Sequence, residues 1–125
     1  MTFIKSLKSF YISMKASSKF GRSLKLEKKG RMVEALATAR EGLKILDTMD
    51  VDRIGGPEGS VLACLTINVE KYANELKQPG ADLKDIRDSL AFLKGIGSVK
   101  NPTYEKTRAD WIPYFEKRLE DLRVL

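Results

Sequence analysis

The first segment of the chain has the hydrophobic pattern of an amphipathic helix. Its apolar residues recur at the i, i+3, i+4, i+7 spacing of one helix face, and at about 100° per residue they span an arc of roughly 120°. They are Phe3, Ile4, Leu7, Phe10, Tyr11 and Met14. Lys5, Lys8 and Lys15 lie on the other side, where Ile12 is the apolar exception. The pattern predicts a basic amphipathic helix over residues 1–18.

Three roles are open to this helix. It can cover the core with Phe3, Leu7, Phe10 and Met14, lie on a membrane surface with lysines at the rim, or dock its apolar stripe on another protein. We expect the core-covering role. Ser17–Ser18 is either a joint or part of a longer helix.

The rest of the chain continues with helical periodicity. A helix pair is predicted over 19–47, with a stop at Gly30, and a second pair over 60–95, interrupted at Gln78-Pro79-Gly80. A last helix is predicted over 102–124. The inward positions are expected to include Met32, Val33, Leu36, Leu43, Leu46, Leu65, Val69, Tyr72, Leu83, Ile86, Leu90, Tyr104, Trp111 and Phe115.

Several residues mark where these helices begin. Asp82 and Asn101 are predicted N-caps, and either Ser60 or Pro57 begins the helix that follows the long loop. Pro113 either kinks the last helix or begins a new one.

The chain lacks the sustained two-residue alternation of strands. We therefore predict an all-α fold of five to six antiparallel helices, built as one domain over residues 1–125. The length of 125 residues, with 42% hydrophobic and 32% charged residues, is typical of one globular domain.

Composition argues against several kinds of chemistry. The chain has no His, which excludes Ser–His and Cys–His catalytic pairs, imidazole metal ligands and a histidine pH switch. Its one Cys, Cys64, excludes an internal disulfide and a CxxC zinc site. We expect no cofactor, no metal and no enzymatic activity.

Charge is concentrated at the amino-terminal end. Residues 1–31 carry nine basic side chains against the single acidic residue Glu27, whereas the remaining residues are close to neutral. Such asymmetry indicates an acidic partner or a solvated basic face. We expect a protein partner with an acidic surface rather than nucleic acid or a membrane.

The stretch Leu26–Leu36, LEKKGRMVEAL, carries a family resemblance. Gly30 stands at the turn, Met32 follows two residues later, and Ala35 occupies a position of close helix contact. Seven residues further on, Gly42 stands where Ala is usual, which weakens the helix slightly. On these residues, 19–47 resembles a tetratricopeptide-repeat helix pair. Residues 60–95 resemble a second pair more loosely, and the loop before them breaks a strict 34-residue period.

The resemblance implies a scaffold that binds a peptide or protein on the surface of its first helices. On this chain that surface lies near Arg22, Lys25 and Lys28, and near Asn68, Lys71 and Glu75. Tyr114 lies off the Trp111–Phe115 face and is a further possible contact. The predicted partner-binding residues are Lys15, Lys19, Arg22, Lys25, Lys28, Asn68, Lys71, Glu75 and Tyr114.

Other candidate sites have a simpler explanation. Residues 55–60, GGPEGS, are a connector rather than a phosphate loop, because the P-loop ending is missing. Asp82, Asp85 and Asp88, with Glu70 and Glu75 nearby in sequence, are expected on solvated surfaces. Cys64 is expected to be a small buried hydrophobe.

We therefore expect a non-enzymatic protein-binding module that occludes its partner stoichiometrically, as a toxin-neutralising immunity protein or an adaptor. The alternative is a basic helical protein that binds nucleic acid or a membrane surface. The chain has no unbroken apolar run of the secretory-signal type, and we expect a cytoplasmic location.

Overall fold

The computed structural model describes residues 2–48, 56–96 and 102–124, with side chains for 7–48, 58–96 and 102–123. Within these ranges the chain is all-α and contains no strand, which confirms the predicted fold class. Its five helices are α1 Thr2–Lys28, α2 Met32–Leu46, α3 Gly56–Leu76, α4 Leu83–Gly95 and α5 Pro102–Val124.

Each helix packs against the next one along the chain, and α1 also packs against α3. The core between them is built from large side chains that are almost completely buried. The bulkiest include Tyr72, Phe115, Leu46, Leu62, Leu65 and Ile86. The order of packing follows the order of the sequence, so α1, α2 and α3 form one group, to which α4 and α5 are added in turn.

The first helix is the longer of the two alternatives that the sequence left open. It runs without a break through Ser17–Ser18, so the segments predicted as 1–18 and as the first helix of 19–47 form one element. At 1.5 Å per residue, 27 residues give a rod about 40 Å long.

The side of α1 expected to cover the core is instead exposed. Leu7, Phe10, Tyr11 and Met14 are 52–63% exposed, whereas Ile12, expected on the polar side, is buried at 7%. The prediction of a core-covering apolar stripe was therefore wrong for the described side chains. The side chains of Phe3 and Ile4 lie outside the part of the chain whose side chains are described.

Small residues explain this reversal. The buried side of α1 consists largely of Ile12, Ser13, Ala16, Ser23 and Leu26. Small side chains let helix axes approach closely, and such a side carries a weaker hydrophobic signal than a stripe of Phe, Leu and Met.

The first turns of α1 extend beyond its neighbours. Asn68 bonds to Ser23 and Tyr72 to Glu27, each pair 45 residues apart, so α1 and α3 run parallel. That offset places the start of α3 level with Tyr11. Residues 2–10 of α1 therefore project past the beginning of α3.

The predicted helix boundaries hold at several points. Gly30 has a φ of 75° and ends α1, with the Arg31 N–H donating to the Leu26 carbonyl. The Asp82 carboxylate accepts a hydrogen bond from the Asp85 N–H at 2.9 Å, as an N-cap should. The predicted cap Asn101 lies outside the described residues.

The structure selects among the alternatives at two prolines and differs from the prediction elsewhere. The helix after the long loop begins at Gly56, which places Pro57 in its first turn as one alternative had it, and α5 continues through Pro113 as one helix, so no new helix begins there. Three residues expected to face inward are exposed, namely Val33, Leu83 and Tyr104.

Gly42 allows three helices to meet. A Cβ atom at this position would lie 2.8 Å from both Cδ atoms of Leu65 in α3 and 3.2 Å from the Cβ of Lys19 in α1. Both distances are shorter than normal van der Waals contact. The sequence indicated only that Gly42, in place of Ala, weakens the helix slightly. The structure shows that glycine is needed at this position for the helices to pack closely.

Replacing Gly42 by Ala is expected to destabilise the fold by about 1–3 kcal/mol, because the added methyl group overpacks the junction. The matched control is Gly21→Ala in α1, where a Cβ meets nothing within 4 Å. This control should stabilise the protein by up to about 1 kcal/mol through helix propensity. Urea unfolding of both variants measures the difference, and equal shifts of the same sign would contradict the close approach.

Candidate partner-binding surface

The second half of α1 displays basic side chains to solvent. Arg22, Lys25 and Lys28 are exposed, and at about 100° per residue they lie on the side opposite the packed one. We call these three residues the basic stripe. They are predicted partner-binding residues that the structure places together on one surface.

The other two predicted lysines of α1 have contacts within the molecule. Lys19 is half-buried, and its Nζ lies 2.9 Å from an oxygen of Glu41. The hydrogen bond from Lys19 and its charge lower the pKa of Glu41. Lys15 is exposed, with Nζ 5.4 Å from the centre of the Tyr11 ring, within the range of a cation–π contact.

The structure corrects one predicted contact residue on α3. Asn68 is 3% exposed and donates a hydrogen bond to Ser23 Oγ at 3.1 Å, so it joins α1 to α3. Lys71 and Glu75 are exposed as expected. Lys71 also lies 3.7 Å from Glu27. The predicted α3 surface is therefore reduced to these two residues.

Glu27 is turned towards α3. The Tyr72 hydroxyl donates to Glu27 Oε1 at 2.8 Å, and the same hydroxyl lies 3.4 Å from the Ser23 carbonyl. Burial, followed by the hydrogen bond to Glu27, raises the pKa of Tyr72 far above its ordinary value. The one acidic side chain among the first 31 residues thus bonds to α3, while Glu41 of α2 lies close enough to Arg22 for the Arg22 charge to help lower the Glu41 pKa.

Tyr114 is part of a polar cluster and not an exposed contact. It is half-buried, its hydroxyl donates to Glu70 Oε1 at 3.1 Å, and it accepts from Asn74 Nδ2 at 2.9 Å. Burial is the main cause of its raised pKa. Tyr114 is thus held by hydrogen bonds within the molecule, and its contact with a partner stays a prediction.

Glu70 is the centre of that cluster, and the expectation that it lies on a solvated surface was wrong. Its side chain is 1% exposed. Oε1 accepts from Arg118 Nε at 2.6 Å and from Tyr114, and Oε2 accepts from the Ala81 N–H at 2.8 Å. Burial, the largest single influence, lowers the Arg118 pKa, but the hydrogen bond and charge of Glu70, together with nearby Tyr114 and Asp121, outweigh it and raise the pKa. One carboxylate thus joins α3, the α3–α4 loop and α5.

Space for this carboxylate depends on Gly80. A Cβ atom at Gly80 would overlap with Glu70 Oε2. The φ of Gly80 is not positive, since Gly30 is the one glycine with positive φ among the described residues. Glycine is therefore required at position 80 because a side chain there would overlap with Glu70, and not because the backbone is left-handed.

Two further acidic residues are buried against expectation. Asp85 and Asp88, predicted on a solvated surface, are buried at 5% and 8%; Asp85 follows the N-cap of α4, and Arg87 Nε lies 3.4 Å from Asp88. Within the described ranges no three metal-ligating side chains cluster. Burial raises the pKa of the half-buried Cys64 thiol.

The apolar residues near the start of α1 lie in line with the basic stripe. Leu7, Phe10, Tyr11 and Met14 form what we call the apolar patch, and both groups occupy the same arc of about 120° on the side facing away from α2 and α3. The recurrence of small residues opposite the patch is the signal that could have revealed it.

Glu70→Gln is expected to destabilise the protein by about 2–3 kcal/mol, because Arg118 and Tyr114 then face an uncharged amide. Glu75→Gln, five residues further along α3 and exposed, is the matched control and should change stability by less than about 0.5 kcal/mol. Denaturant unfolding at neutral pH compares the two. A loss below about 0.5 kcal/mol for Glu70→Gln would show that the cluster is not a stabilising junction.

A second prediction concerns pH. Because the folded pKa of Tyr72 lies above the unfolded value of about 10, the stabilisation from its hydroxyl is complete below about pH 10 and is lost as the pH rises further. The stability difference between the wild type and Tyr72→Phe should therefore shrink in alkali. Tyr104→Phe, at an exposed position, is the control. Urea unfolding over a pH series tests this, and a constant difference would contradict it.

Comparison of the chain with protein-family models, curated proteins and solved structures gives no match. Among the described helices, none is both long and apolar enough to cross a bilayer.

Proposed function

We propose that this protein is a non-enzymatic binding module that occludes a partner protein with an acidic surface. The observation that carries the proposal is the exposed basic stripe of Arg22, Lys25 and Lys28, whose nearest acidic residue in sequence, Glu27, is bonded to Tyr72. Such a positive surface favours association with a negative one.

The arrangement of the helices supports a scaffold role. Packing from each helix to the next, with α1 also against α3, is the pattern expected when helical hairpins stack in tetratricopeptide-like fashion. In such a stack α1 and α3 lie side by side as first helices. Lys71 and Glu75 of α3 then extend the surface that begins with the basic stripe.

The engagement of Glu70 supports a function without catalysis. Both of its oxygens accept hydrogen bonds from the protein, so its role is accounted for by structure. We propose binding in the cytoplasm, either as an immunity protein that covers a toxin surface or as an adaptor. Electrostatic attraction would speed the encounter, and close contact would hold the complex.

Reversing two charges of the basic stripe tests the proposal. Lys25→Glu with Lys28→Glu should weaken binding of the acidic partner, captured from the native host, by more than about tenfold, mainly through slower association. Lys106→Glu with Lys117→Glu on α5 makes the same change in net charge at exposed positions and serves as the control. Binding kinetics at low and high salt provide the measurement.

Equal weakening by both double variants would show that net charge, and not the basic stripe, attracts the partner. Failure to capture any acidic protein at low salt would contradict the proposal as a whole.

A further inference from the structure

We propose that the apolar patch of α1 binds the surface of an anionic phospholipid bilayer. This inference goes beyond the proposed partner binding, because it uses a different part of α1. The patch exposes four large side chains: Leu7 at 52%, Phe10 at 63%, Tyr11 at 62% and Met14 at 57%. An amphipathic helix that lies in a membrane interface buries such side chains among the lipid headgroups and upper acyl chains.

The position of the patch makes it accessible to a flat surface. The patch faces away from α2 and α3, and residues 2–10 project beyond the start of α3. A plane can therefore touch the patch while the helices packed on the other side of α1 remain above it.

Charge indicates which surface fits. Lys8 and Lys15 are exposed at one edge of the patch, where lysine side chains reach headgroup phosphates. The chain has no acidic residue before Glu27, and Glu27 is bonded to Tyr72. Among residues 7–28, the exposed side of α1 therefore carries apolar and basic side chains together with Ser17 and Ser18, which complements anionic lipid.

The same features disfavour the other occupants. A second copy of the chain would bring two strongly basic amino-terminal segments together, at a cost in repulsion. A protein partner would need a groove whose shape is complementary to the convex surface of the patch. A bilayer needs no matching shape, because its headgroups rearrange around the inserted side chains.

The experiment is co-sedimentation of the full chain with vesicles. We expect binding to vesicles of phosphatidylglycerol mixed with phosphatidylcholine, little binding to phosphatidylcholine alone, and several-fold weaker binding as salt is raised. Leu7→Ser with Phe10→Ser should lower the partition coefficient by more than about tenfold.

The matched control is Val33→Ser with Leu83→Ser. It removes two exposed apolar side chains from α2 and α4, where Val33 is 64% and Leu83 42% exposed, and it should bind vesicles as the wild type does. All four side chains are exposed, so both variants should keep their unfolding midpoints, which circular dichroism verifies.

Three results would overturn the proposal. The first is no sedimentation with anionic vesicles at low salt, and the second is equal vesicle binding by the patch variant and the wild type. The third is a patch variant that loses a protein complex or a dimer, seen by gel filtration, while its vesicle binding is unchanged. The proposed partner binding is tested separately. The patch variant should still bind the acidic partner, whereas Lys25→Glu with Lys28→Glu should weaken that binding.

Discussion

The close approach of α1 to α2 and α3 determines which side of α1 faces solvent. This approach needs small residues on the contact surfaces, and the chain supplies Ala16 and Ser23 on α1 and Gly42 on α2. Once these residues pack, Leu7, Phe10 and the residues in line with them are directed outward. The apolar patch and the basic stripe are therefore two consequences of one packing choice, and both proposals about binding depend on it.

Buried polar contacts hold the remaining helices in place. Asn68 and Tyr72 join α3 to the second half of α1, while Glu70 joins α3 to Arg118 of α5. Burying a polar group without a hydrogen-bond partner costs free energy. These contacts therefore determine which helices pack together more strictly than apolar packing does. Such contacts favour one arrangement of α1, α3 and α5 and leave the outer surface of α1 free to serve another purpose.

The sequence was sufficient for the fold class but not for the surface. Periodicity, Gly30 and Asp82 identify the helices and several of their ends, because these signals are local. The predicted orientation of α1 was wrong. The hydrophobic pattern favours a large residue such as Phe10 over Ala16 as a core residue, whereas close helix packing requires the smaller side chain. Asn68 and Glu70 were missed as buried residues, since their burial depends on Ser23 and Arg118, each more than 40 positions away.

The contact between Gly80 and Glu70 has a consequence for how this sequence can vary. A residue larger than glycine at position 80 is incompatible with the buried carboxylate, but a chain with alanine at position 70 would have room for a side chain there. Substitutions at these two sites are therefore conditional on each other. A change at position 70 that appears first would open position 80 to replacement, whereas the reverse order would pass through an unstable intermediate.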